Sequence, residues 1–179
     1  EKYCIVRTIN IYQASQIKFI GYIWICRSCD FSNTKILNKR DQFMDDVTIN
    51  KVATIERCLK RIKEEYLGYE DVFKNNFTKQ DSVVLNINRA IQAAIDLAMH
   101  IVRINKLGIP QNSRDVFVML ADAKFIKKST SDLMQKMVGF RNIAIDDYQS
   151  LNIEIVIAVI NDQLNDFKEF ISEILSYKK

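Results

Sequence analysis

The sequence predicts an all-α protein, an up-and-down bundle of four to five helices, and three observations carry that reading. Four Gly and one Pro in 179 residues are too few for the turns of a β-sandwich or barrel, or for a Gly-rich phosphate loop. Charged residues at 27% beside 48% hydrophobic ones fit a folded soluble chain rather than a disordered or membrane-embedded one. From Met44 onward, apolar residues return every three or four positions, the period of a helix that buries one face. The length suits one domain, large enough to bury a core without disulfide staples.

The elements follow in chain order. A first helix is expected over 45–67, with Val52, Ile55, Leu59, Ile62 and Tyr66 on one face and Gly68 as its C-cap. A second, over 81–107, turns Val84, Ile87, Ile91, Ile95, Ala98 and Val102 inward, and Gly108-Ile109-Pro110 stops it. Ser113 is expected to cap a shorter helix over 115–125 bearing Phe117, Leu120 and Ala121. Ser129-Thr130-Ser131-Asp132 opens a fourth, with Leu133, Met137 and Phe140 inward. The last covers 152–177 and places Ile155, Ile157, Val159, Ile160, Leu164, Phe167, Ile171, Ile174 and Leu175 on its apolar side.

Residues 1–43 read differently: apolar and basic residues are mixed without helical period. They hold seven Lys/Arg against three Asp/Glu, whereas 44–179 carry nineteen of each sign, so the net +4 sits entirely in the leading segment. The main body therefore lacks the global basic footprint of many duplex-binding proteins. Met44-Asp45-Asp46-Val47 looks like a protein start, an initiator followed by acids suited to a helix N-terminus. The expected organisation is an N-terminal extension, 1–43, of open role and origin, and a helical domain, 44–179; the alternative packs Lys18–Cys26 on that domain as a strand or short helix. The apolar run Ile17–Cys26 is about half the roughly twenty residues a bilayer needs, and no small-residue cleavage site follows it. A cytoplasmic chain with no membrane partner is expected. Cys4, Cys26, Cys29 and Cys58 include one CxxC but no second pair to close a zinc site, so neither metal nor cofactor is expected.

One segment does not read as plain bundle: Lys136-Met137-Val138-Gly139-Phe140-Arg141-Asn142-Ile143-Ala144-Ile145-Asp146-Asp147-Tyr148. On one uninterrupted helix Arg141 and Tyr148 are nearly eclipsed, and Asp146 lies about 140° round from Arg141. Arg141 and position 146 then meet at one ligand only if the helix breaks between them or if two subunits pool residues. Arg with Asn beside it suits phosphate, the guanidinium offering a fork of donors and the amide another. The plainer alternative is a helix-end turn with Arg141 solvated or paired to Asp147.

This segment closely resembles the signature of HEPN-domain toxins of the HepT-like kind, found in HEPN/MNT toxin–antitoxin systems, where Arg-polar-x3-His-x-Tyr follows "MVGF". Met137 through Asn142 matches letter for letter, and Tyr148 stands at the family tyrosine. Asn50 through Cys58, Ala90 through Val102, and Arg114-Asp115-Val116-Phe117 with Leu120 resemble its first three helices, so 44–179 are covered in order. The resemblance implies a helical homodimer whose two motifs line a cleft acting as a metal-independent ribonuclease, often on transfer RNA. It gives Arg141 the scissile phosphate and Asn142 a supporting place. It makes Tyr148 the acceptor of AMP from a cognate MNT-type nucleotidyltransferase antitoxin, with a tyrosine bracing the motif turn as the plainer reading. The family histidine, which acts on the 2′-hydroxyl or the leaving oxygen, is replaced here by Asp146. A carboxylate near pKa ~4 is a weaker base than imidazole and sets negative charge beside a phosphodiester. An inactive or attenuated copy is expected, by engineering or by natural divergence. A non-catalytic nucleotide- or substrate-binding partner of a nucleotidyltransferase is the rival reading.

Two further polar groups are candidates. Arg89, Gln92, Asp96, His100 and Arg103 fall within about 80° on the second helix, where Asp96 could orient Arg141 or the stripe could be a solvated face. Lys124, Lys127 and Lys128 could guide a phosphate backbone or simply complement a helix end.

Overall fold

A carboxylate opens the first helix: Asp45 accepts from the Thr48 backbone N–H at 2.8 Å and caps α1 (Asp46–Tyr66). In this computed structural model the described residues are 45–146 and 152–177. Residues 1–44, with the CxxC, and residues 147–151, with Tyr148, lie outside them, as does the side chain of Asp146. Gly68 ends α1 as expected, its φ of +81° being open to glycine without strain. A single turn, α2 (Glu70–Phe73), follows that the sequence did not announce. It exists to bury Phe73, whose ring meets Tyr66 edge-on at 5.1 Å.

The long α3 (Phe77–Ile104) starts four residues before Asp81, because the Asn76 side chain accepts from Lys79 N–H and caps it there. Three pairs fix it antiparallel to α1: Asp45 with His100, Lys51 with Asp96, and Glu65 with Lys79. Between these rungs lie Ile55, Ile62, Ile87, Ile91, Ala94 and Leu97, all fully buried. α4 (Asp115–Asp122) is capped by Asn112 rather than Ser113: the Asn112 Oδ1 accepts from the N–H groups of Arg114 and Asp115 at 2.8 and 3.1 Å.

α5 (Lys128–Asp146) runs without a break. Across five residues outside the description, the chain resumes as α6 (Ile153–Ala158), passes through a π turn at Val159–Gln163, and continues as α7 (Leu164–Ser176). α5 and α7 are antiparallel, since Lys127 at the start of α5 pairs with Glu169 and Glu173 late in α7. Phe117 of α4 meets Phe170 of α7 edge-on at 5.6 Å, tying α4 to the second hairpin. Two antiparallel helical hairpins thus make the bundle. The described residues form helices and loops alone, and no helix among them is long and apolar enough to cross a membrane.

Most expected core positions are buried, and the misses cluster where every residue is apolar. In Ile153–Ile160 the phase cannot be read: Ile155 is half exposed while Val156 is buried. Leu175 is also exposed, and Phe170 takes the buried place; in α5 it is Met134, not Leu133, that is fully enclosed.

Candidate active site

α5 carries the motif. Its buried side chains, Met134, Met137, Val138 and Ala144, form a stripe at helical spacing. Arg141 lies on that same stripe, seven residues past Met134 and only about 20° from it, yet it is half-buried rather than enclosed. Four residues on, Ile145 returns to the stripe and is 53% exposed; its neighbour Ile143 is 58% exposed. Past Arg141 this face still buries Ala144 but leaves Ile145 half exposed, so among the described residues the last turn of α5 is only partly covered. Among the described residues Arg141 has no acid within ion-pair distance.

Because α5 is continuous to Asp146, a helix break cannot bring Arg141 and position 146 to one ligand. Within a single chain they stay about 140° apart. Asn142 is exposed on the side of the helix nearer to 146. Tyr148 and Asp147 lie beyond the described residues.

A second guanidinium stands beside this segment, and sequence reasoning gave it no role. A Cβ on Gly139 would lie 2.9 Å from Nη2 of Arg114, so the glycine of the motif is the space that the Arg114 guanidinium occupies. Gly139, Asn142 and Asp146 share one face of α5, with 142 and 146 about 60° and 20° from 139. Arg114 therefore packs on the face that carries position 146. The available signal was a glycine in mid-helix, where it is about 1 kcal/mol worse than alanine unless something needs the room.

Three members of the polar stripe on α3, Gln92, Asp96 and His100, are engaged elsewhere. The Asp96 carboxylate accepts from Lys51 Nζ at 2.6 Å and from Gln92 Nε2 at 2.8 Å, so among the described residues its partners are on α1 and α3 rather than Arg141. His100 Nε2 meets Asp45 Oδ2 at 2.5 Å and serves the α1 cap. Burial pushes the Asp45 carboxyl up, but donation from Thr48 and His100 outweighs it and holds the group below its usual range. Of the lysine cluster, Lys127 is held by Glu169 and Glu173 and Lys128 by Asp132, which leaves Lys124 as its one member without an ion pair among the described residues. The cluster is mainly a helix-end brace.

A half-buried guanidinium, an exposed amide beside it and a second arginine lodged over Gly139 give this end of the helix donors of the kind that suit an anion. Residues 55–174 match the family described as Ribonuclease HepT-like, and the chain belongs to that family. It is 53% identical over 131 residues to the mRNA nuclease HepT of Shewanella oneidensis, spanning 73% of this chain and 98% of that protein. Among solved structures it is similar to a tri-AMPylated Shewanella oneidensis HEPN toxin in complex with its MNT antitoxin, at 51% identity and a TM-score of 0.72, covering 75% of this chain and all of that one. It is likewise similar to a toxin–antitoxin solved with AMP-PNP, at 50% identity and a TM-score of 0.71, covering 74% of this chain and all of that one. By family the protein is a ribonuclease.

Proposed function

We propose that residues 44–179 act as the toxin of a HEPN/MNT-type pair, a metal-independent endoribonuclease whose site forms between two copies of the chain. The observation that carries this is the last turn of α5, where an unbroken helix leaves Arg141 half-buried with no acid partner among the described residues and Ile145 half exposed. A second copy supplies the cover, and it brings one chain's Arg141 opposite the other's position 146. In this reading Arg141 binds the scissile phosphate with its donor fork, Asn142 adds a donor, and Arg114 adds positive charge on the face of position 146. Position 146 handles the proton of the 2′-hydroxyl or of the leaving oxygen.

Asp146 fits that last role poorly. General acid–base catalysis contributes on the order of 10²–10⁴-fold, and an ionised carboxylate beside a phosphodiester forfeits most of it. The chain as it stands is attenuated, and Asp146→His restores cleavage without added metal; host growth falls in step. If the restored protein neither cuts RNA nor slows growth, the chain is a binding partner of a transferase instead. The Shewanella relative is named for messenger RNA and the motif's resemblance carries transfer RNA, so both are offered to the restored protein. Tyr148 is the residue that a nucleotidyltransferase antitoxin modifies, a reading supported by the AMPylated toxin among the similar structures. Intact-mass measurement after incubation with ATP and the transferase shows added AMP, and Tyr148→Phe abolishes it. Such a protein works in the cytoplasm.

A further inference from the structure

Arg57 and Arg61 of α1 and Arg89 of α3, none of them part of the motif, line a groove of about 430 Å³ between those two helices, together with Lys51. Its walls follow the antiparallel pairing of α1 and α3. From Lys51 to Arg61, and again from Asn86 to Asp96, it runs about 15 Å along the helix axes. Asp96 is the one carboxylate among the lining residues, and Lys51 neutralises it at 2.6 Å. The other three cations are in no ion pair among the described residues. Residues 44–179 are neutral as a whole, so three uncompensated arginines around one groove are a local segregation of charge. Their fields converge: at the buried Cys58 thiol on the groove floor, burial raises the pKa while Arg57, Arg89 and Arg61 each pull it down.

Like charges gathered in a cleft raise the local concentration of an anion that can bridge them. Guanidinium forks match phosphate oxygens, and a row this long suits several phosphates in succession rather than one small anion. The floor adds a second requirement. Asn86 is 4% exposed, its Nδ2 donates to the Ser82 carbonyl at 2.7 Å, and its Oδ1 has no partner. An acidic protein side chain offers only acceptors, whereas RNA places a 2′-hydroxyl donor after every phosphate. We propose that this groove binds the sugar–phosphate backbone of single-stranded RNA and holds the substrate strand outside the cleavage site. The proposal rests on the ribonuclease reading for the identity of the ligand.

The test uses the full chain and a short fluorescein-labelled single-stranded oligoribonucleotide, followed by fluorescence anisotropy across a series of KCl concentrations. Arg57→Gln, Arg61→Gln and Arg89→Gln, all exposed positions, are made singly and together. The control removes equal charge from the separate groove between α1 and α7 with Lys60→Gln, Lys63→Gln and Lys168→Gln. Each arginine lost should weaken binding about tenfold at low salt. The triple variant should flatten the plot of log affinity against log salt by about 2, at ~0.7 per phosphate contact on a single strand. An unchanged slope, or an equal loss in the lysine control, overturns the proposal.

Catalysis is read separately in the Asp146→His background, where the groove variants should raise the RNA concentration at half-maximal rate and leave saturated turnover intact. Equal cleavage at all RNA concentrations with the arginines gone removes the groove and keeps the ribonuclease. RNA affinity that follows the arginines, in a His-restored protein that cuts nothing, does the reverse.

Discussion

Gly139→Ala should raise stability and lower activity, and the structure sets the size of both effects. The residue sits inside α5 with helical backbone, so replacing glycine recovers about 1 kcal/mol of helix propensity. Against this stands one contact: the new Cβ would lie 2.9 Å from Arg114 Nη2, which must retreat by about half an ångström to reach ordinary contact. That atom is the tip of a long, exposed side chain, so the retreat takes little from the gain. For a domain of this size ~1 kcal/mol corresponds to a melting-temperature rise of about 2–5 °C, followed by circular dichroism. In the Asp146→His background the displaced guanidinium should cut RNA cleavage by several-fold, since small misplacements of a charge near a reacting phosphate weaken its effect. A lower melting temperature, or full cleavage at raised stability, would show that Gly139 is not there to make room for Arg114.

Other outcomes follow from the same geometry. Arg141→Ala should abolish the cleavage gained with Asp146→His while leaving the melting temperature within a degree or two, as expected for a half-buried side chain at a helix end. Asp45→Ala should cost about 1 kcal/mol by removing the α1 cap and the partner of His100. Because the Asp45 carboxyl is held below its usual range, its contribution is present above the unfolded-state value near ~4, and the gap between wild type and variant should close as pH falls below it. Asp166 runs the other way. Burial and the neighbouring Glu169 raise its pKa against the pull of Lys136, so its charged form is a penalty at neutral pH. Asp166→Asn should stabilise the protein at pH 7 and lose that advantage in acid melts.

Much of this architecture was legible because Val84, Ile87, Ile91, Ile95, Ala98 and Val102 leave only one phase for the central helix to adopt. The edges were less so. α3 begins at Phe77 because Asn76 caps it, and Asn112 does the work assigned to Ser113; several capping residues within a few positions compete, and only backbone geometry selects among them. In Ile153–Ile160 nearly every side chain is apolar, so periodicity carries no phase information and the π turn that follows leaves no mark. The motif around Arg141 was legible by its oddness, a polar run on an apolar stripe. The part played by Arg114 was not, since twenty-five residues separate it from the glycine that accommodates it. The groove on α1 and α3 was half visible: Arg89, Gln92 and Asp96 shared a face, but their partners on another helix could be found only once the pairing register of α1 and α3 was known.

The link between the two hairpins leaves its mark on how such a molecule can be dismantled. Between Ile104 and Asp115 the chain makes no helix, Lys106 and Gly108 take positive φ, and Ile109 is 86% exposed. A stretch without helix and this exposed is open to a protease. One nick there would divide the molecule into a piece holding α1–α3 and a piece holding the motif helix with α4 and α7, each left with a bare apolar flank. Neither fragment keeps the shared core intact, so a single cut in this linker, which ends at Arg114, is enough to undo the fold.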